Sequence, residues 1–150
     1  MPDTRLADGL HTIEKNHGAL LTLCQRLEDL ADSLPFSVDE ALCREVAADI
    51  VPLLSQAQAV EEDTLYPELT ARAGSCFSAL MIERLKGEHR CDRSGAEEIA
   101  LTLQAMLAGR CRLSFETVGY MLRGFFECVR RHIASERELI NSLYQPTLHS

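Results

Sequence analysis

Residues 118–143 read VGYMLRGFFECVRRHIASERELINSL. Within them Val118, Leu122, Phe125, Val129, His132, Glu136, Ile140 and Leu143 recur at steps of three and four, the spacing that gathers residues on one face of an α-helix. An apolar stripe of this kind is built to be buried, yet His132 and Glu136 stand inside it. Burying a charge without a partner is costly. A carboxylate and an imidazole one turn apart on an inward face are how a bundle helix offers two ligands to a metal ion.

Working outward, the same spacing appears three more times. Leu6, Leu10, Ile13, His17, Leu20, Cys24, Leu27, Ala31 and Leu34 form one stripe, broken at Pro35. Ser37 with Glu40 reads as a capping box opening a second helix, whose stripe is Val46, Ile50, Leu54, Ala57, Glu61 and Leu65. Pro52 should kink this helix, and Pro67 with Ala73-Gly74 should close it. A third helix is expected from about Phe77 to Ala108, with Ile82, Leu85, His89, Ala96, Ile99, Leu103 and Met106 inward and Gly109 ending it. Ser114 is positioned to cap the fourth.

Four helices of similar length with short connections predict an all-α, up-down-up-down four-helix bundle, with residues 1–150 as one domain. Counted along such a bundle at 1.5 Å per residue, His17, Glu61, His89, His132 and Glu136 fall at roughly the same depth, about 25–36 Å from one end. Three nitrogens and two carboxylates in one layer suit iron or manganese better than calcium, which takes oxygen alone, or structural zinc. The halves of the chain repeat this arrangement. Placing Glu61 on Glu136 puts Ala57 where His132 stands, so one nitrogen is missing. Gln58 points about 100° away from Ala57, whereas Asp92, on the inward face three residues after His89, is a further candidate donor.

At this point the chain resembles the hemerythrin-like family, also called the HHE cation-binding domain. The segments that carry the resemblance are Asn16-His17, Glu61-Glu62-Asp63-Thr64-Leu65-Tyr66-Pro67, Glu88-His89 and His132-Ile133-Ala134-Ser135-Glu136. The resemblance covers most of the chain and implies a four-helix bundle with a non-heme, usually di-iron site that meets oxygen, nitric oxide or cellular iron. It implies His17, Glu61, His89, His132 and Glu136 as ligands, with Glu61 and Glu136 as bridges. The departure at Ala57 leaves a weaker site, an exogenous ligand or a mononuclear centre as alternatives to the full di-iron set.

Around that layer, Glu14 is expected as an outer support, Glu62 and Glu88 as surface charges, and His11 and His149 as solvated. Tyr66 reads either as a hydrogen-bond donor over the layer or as packing at a helix end. Cys24 and Cys128 read either as small buried apolar residues or as a redox pair beside the metal. Cys43 and Cys111 should lie toward one end of the bundle and Cys76 toward the other.

Composition excludes several classes. The net charge of −8 and the lack of a Lys/Arg cluster leave no surface for nucleic acid. No apolar run reaches the roughly 20 residues that span a bilayer, and the N-terminus lacks the apolar segment of a secretion signal, so a cytoplasmic protein off the membrane is expected. Six scattered cysteines form neither a disulfide framework nor a CxxC zinc pattern. No nucleophile triad or phosphate-cradling loop is present, which favours binding or sensing over enzymatic turnover. The rival readings are a metal-free bundle acting as an interaction module and a cysteine-based redox switch. An exposed helix face leaves room for a homodimer.

Overall fold

The computed structural model describes residues 4–73 and 76–144; Gly74, His149 and the side chains of Cys76 and Leu143 lie outside the described part. The chain forms α1 (Thr4–Ser33), α2 (Glu40–Val60), a π-helical turn (Glu61–Leu65), α3 (Tyr66–Ala73), α4 (Cys76–Leu107) and α5 (Phe115–Tyr144). Among the described residues there is no strand. α2, the π turn and α3 follow one another as a single rod, so the chain builds four. α1 packs on α2 and α5, and α4 packs on α2 and α5, which closes the ring of an up-down-up-down bundle. No described helix is long and apolar enough to cross a membrane.

Local chemistry sets the ends. Asp39, not Ser37, caps α2: its backbone is extended and its carboxylate accepts the Leu42 N–H at 3.1 Å. Ser37 is still held by the turn after α1, where its N–H donates to the Ser33 carbonyl. Ser114 caps α5 as expected, with Oγ accepting the Thr117 N–H at 3.0 Å. Gly109 ends α4 at φ 68°, with Arg110 N–H on the Ala105 carbonyl and Gly109 N–H on that of Met106, the paired bonds of a Schellman closure.

The second rod departs from expectation at Pro67. α2 spans Glu40–Val60 with Pro52 inside it, and a π turn follows, where the Tyr66 N–H bonds the Glu61 carbonyl. Pro67 has no N–H, and in a regular α-helix its ring would crowd the Asp63 carbonyl four residues back. A widened turn just before it relieves both problems. The rod therefore continues to Ala73 and does not close at Pro67.

Two apolar clusters fill the interior. The larger joins Leu23, Leu27, Val46, Ile50, Leu103, Leu122 and Phe126. The smaller joins Ile13, Leu65, Tyr66, Leu69 and Ile82. Between them along the rods lie the buried polar residues His17, Gln58, Glu61, His89, Asp92 and Glu136. The fold thus positions one polar layer with hydrophobic packing on either side.

Candidate metal centre

Each rod contributes to that layer. α1 brings His17, the π turn Glu61, α4 His89 and α5 Glu136, all buried. His17 Nε2 lies 2.9 Å from Glu136 Oε2 and 3.1 Å from Glu61 Oε1. His89 Nε2 lies 2.8 Å from Glu61 Oε2 and 3.8 Å from Glu136 Oε1. Each carboxylate therefore turns one oxygen to His17 and the other to His89. His17 Nδ1 is buried with no hydrogen-bond partner among the described residues, so all polar contact of that ring is through Nε2.

The imidazoles and carboxylates of the layer shift one another. Burial alone would depress the imidazoles, but the Glu136 and Glu61 carboxylates outweigh it, raising His17 to about 9 and His89 to about 10. Burial would conversely raise Glu61, yet its hydrogen bonds to His17 and His89 bring it down to about 2. Tyr66 leans over the layer, with its hydroxyl 3.0 Å from His89 Nε2 and its ring stacked on the imidazole. Burial, then the carboxylates of Glu61 and Glu136, push the Tyr66 phenol upward, so it stays protonated.

His132 does not join these four. On α5 the inward place one turn past Val129 is taken by the buried Ile133, while His132 is only half-buried. Steps of three and four are equally helical, and the larger apolar side chain takes the core. His132 instead faces α4, with Nδ1 2.7 Å from Asp92 Oδ2 and Nε2 3.6 Å from Glu88 Oε2. It still borders a cavity of about 20 Å³ shared with Leu20, Leu54, Ala57, His89 and Glu136, space for about one water. That cavity lies against Ala57, where the internal repeat lacks its histidine.

Several neighbours differ from their sequence expectations. Glu62 is not a plain surface charge, since its Oε1 lies 3.2 Å from His89 Nδ1. Glu14 is exposed and pairs with Arg137 at 2.9 Å, away from the layer. Gln58 is buried and donates Nε2–H to the His89 carbonyl at 2.9 Å, tying α2 to α4. Cys24 is buried with its thiol facing the Phe126 carbonyl, and burial pushes it up to about 11. Cys128 faces Asp92 and His132, so the two thiols have separate surroundings.

The donor set fits a metal ion. With bonds near 2.1 Å, adjacent ligands of an octahedral ion stand about 3.0 Å apart, against 2.8, 2.9 and 3.1 Å between the closest imidazole and carboxylate atoms here. His17, Glu61 and Glu136 each offer a ligand atom within 4.8 Å of the others, a group that could hold an ion. The profile of the hemerythrin HHE cation-binding domain matches residues 8–144. This chain belongs to that family. No curated protein and no solved structure matches it. As a hemerythrin HHE chain it is a cation-binding bundle with a buried His/Glu site.

Proposed function

We propose that this hemerythrin HHE chain binds non-heme iron in the inner layer, and through it senses, binds or buffers oxygen, nitric oxide or iron itself. The observation that carries this is the division of oxygens: Glu61 and Glu136 each offer one oxygen to His17 and one to His89. Carboxylates placed that way suit bridging of two ions, one beside each imidazole, and the mixed nitrogen and oxygen set suits iron or manganese. His132, the fifth residue of the sequence-based set, borders the same cavity with its Nδ1 held by Asp92.

The layer is poor in nitrogen for a di-iron centre. Ala57 supplies none, and His132 is engaged with Asp92. Iron here would keep open coordination positions, the chemistry a small diatomic ligand needs, and would be held less tightly than by a full histidine set. Both features favour sensing or buffering over permanent carriage.

A second reading is favoured by the contacts themselves: the imidazoles of His17 and His89 already pair with the carboxylates of Glu61 and Glu136, so the closest polar contacts of the layer are made without an ion. In that reading the chain is a metal-free interaction module. Anaerobic titration of the metal-free protein with ferrous iron, followed by elemental analysis after desalting, separates them. About two irons per chain is the expected result, about one assigns a mononuclear centre, and none retained favours the module.

A further inference from the structure

At the end of the bundle where α1 gives way to α2 and α4 to α5, the surface changes character. Of the six large apolar side chains exposed among the described residues, four gather here: Phe36 on the first connection, Leu113 on the second, and Phe115 and Tyr120 in the first two turns of α5. Single apolar residues on a surface are ordinary, whereas a cluster marks a contact. We propose that this end is a self-association face, on which a second copy of the chain packs about a two-fold axis.

Three observations carry it. The first is shape. Phe115 forms a ridge between two grooves. One, of about 540 Å³, runs between α1 and α5 past Leu34, Pro35, Tyr120 and Arg123. The other, of about 450 Å³, runs past Val38, Met106, Leu107 and Leu113. Phe36 stands out between Pro35 of one groove and Val38 of the other. A protruding ring and an open groove side by side on one surface suit a two-fold contact, because each copy supplies both halves.

The second is area. At about 200 Å² for a whole aromatic side chain, Phe36, Tyr120 and Phe115, exposed by 92%, 71% and 44%, present about 400 Å² per copy. Two copies would bury about 800 Å² of aromatic surface, half of the roughly 1,600 Å² of a standard interface before any other side chain is counted. The third is charge. The chain carries −8 in all, so two copies repel each other over most of their surface. The grooves and connections of this end carry Arg110, Arg112 and Arg123 against Asp32, Asp39, Glu40 and Glu116, a net of only −1. Arg123 is paired with Asp32 at 2.7 Å. Among the described residues Arg110, Arg112 and Glu40 are exposed and form no ion pair, so they can meet their opposites across the axis. A strongly basic partner would be drawn instead to the acidic remainder of the surface.

The face is separate from the inner layer, since Ser33 lies about 24 Å along α1 from His17 at 1.5 Å per residue. Sedimentation velocity on the full-length protein, metal-free and iron-loaded, from submicromolar to submillimolar concentration, tests the proposal. A dimer is expected in both forms, with the amides of residues 36–38 and 110–113 gaining hydrogen-exchange protection as concentration rises. Phe36→Asp should weaken self-association by at least about 100-fold, because a two-fold contact loses a buried aromatic anchor twice. Tyr120→Glu should act in the same direction. Leu80→Asp, which alters an exposed apolar residue near the other end of the bundle, should not. All three side chains are exposed, so circular dichroism should report an unchanged fold. A monomer at every concentration, a dimer indifferent to Phe36→Asp and Tyr120→Glu, or one lost equally with Leu80→Asp overturns the proposal. An unrelated protein held by the wild-type chain and lost in Phe36→Asp, with the pure chain monomeric, would give the face to that partner and overturns it as well.

Discussion

The inner His/Glu layer and the outer Cys128/His132/Asp92 cluster are neighbours built by opposite means. The inner one draws one residue from each rod, with partners as far apart as 119 positions in sequence. The outer one uses two helices, and its thiol and imidazole are one turn apart on the same helix. The inner donors are buried and crowd to hydrogen-bond distance, whereas the outer His132 side chain is 23% exposed and its Nε2 neighbours stand 3.6 Å away. A layer assembled from the whole fold is costly to disturb, and a cluster on one helix pair is not.

The largest effect should come from breaking the inner balance. Glu61→Gln leaves the buried His17 and His89 sharing Glu136, with Glu62 on His89 alone, and removing one member of a buried charge network costs about 3–5 kcal/mol. Urea unfolding should show that loss, and elemental analysis should show loss of inner iron. Outer substitutions such as Cys128→Ser should leave both nearly unchanged; equal losses from the two would erase the distinction.

Protons attack the same contacts. His17 and His89 are raised from 6.5 to about 9 and 10, so their stabilisation is fully present below pH 6.5 and is lost as pH rises through those values. Glu61 is lowered from 4.5 to about 2, so its contribution is present above pH 4.5 and is lost as pH falls through 2. Thermal midpoints of the metal-free chain should therefore peak between about pH 4.5 and 6.5. Glu61→Gln should flatten both limbs.

Ala57→His sharpens the comparison from the other side. It restores the nitrogen the repeat lacks, beside a cavity of only about 20 Å³. Overpacking should cost the metal-free bundle about 1–3 kcal/mol, while iron retention during desalting rises. Retention no better than wild type would show that His132 or solvent already fills that role. The smallest effect belongs to Glu14→Ala, which removes an exposed pair with Arg137. It should cost less than about 1 kcal/mol and leave iron content unchanged.

Periodicity made the rods legible, because burial of a stripe is written along one helix. The meeting of His17, Glu61, His89 and Glu136 in one layer followed from counting rise per residue. What periodicity leaves open is a choice between adjacent positions: His132 and Ile133 both continue the stripe, and only packing decides that isoleucine goes in. Partners across helices leave no trace in spacing, so the contact of His132 with Asp92, of Glu62 with His89 and of Gln58 with the His89 carbonyl came only from the fold. Pro67 did signal an irregularity. Its answer, a widened turn upstream in place of a helix end, depends on the layer and cores that the rod must still reach.

The 119-residue separation of His17 and Glu136 also fixes when an ion can be held. An unfolded chain would have to close that loop before the two residues could share a metal, at a cost of about 4–5 kcal/mol by loop-length scaling. The inner site therefore belongs to the folded state alone, and occupancy is linked to folding: each tenfold rise in free ion above the dissociation constant adds about 1.4 kcal/mol. Through that linkage the bundle converts the free concentration of its ion into its own resistance to unfolding, a response that needs no second conformation.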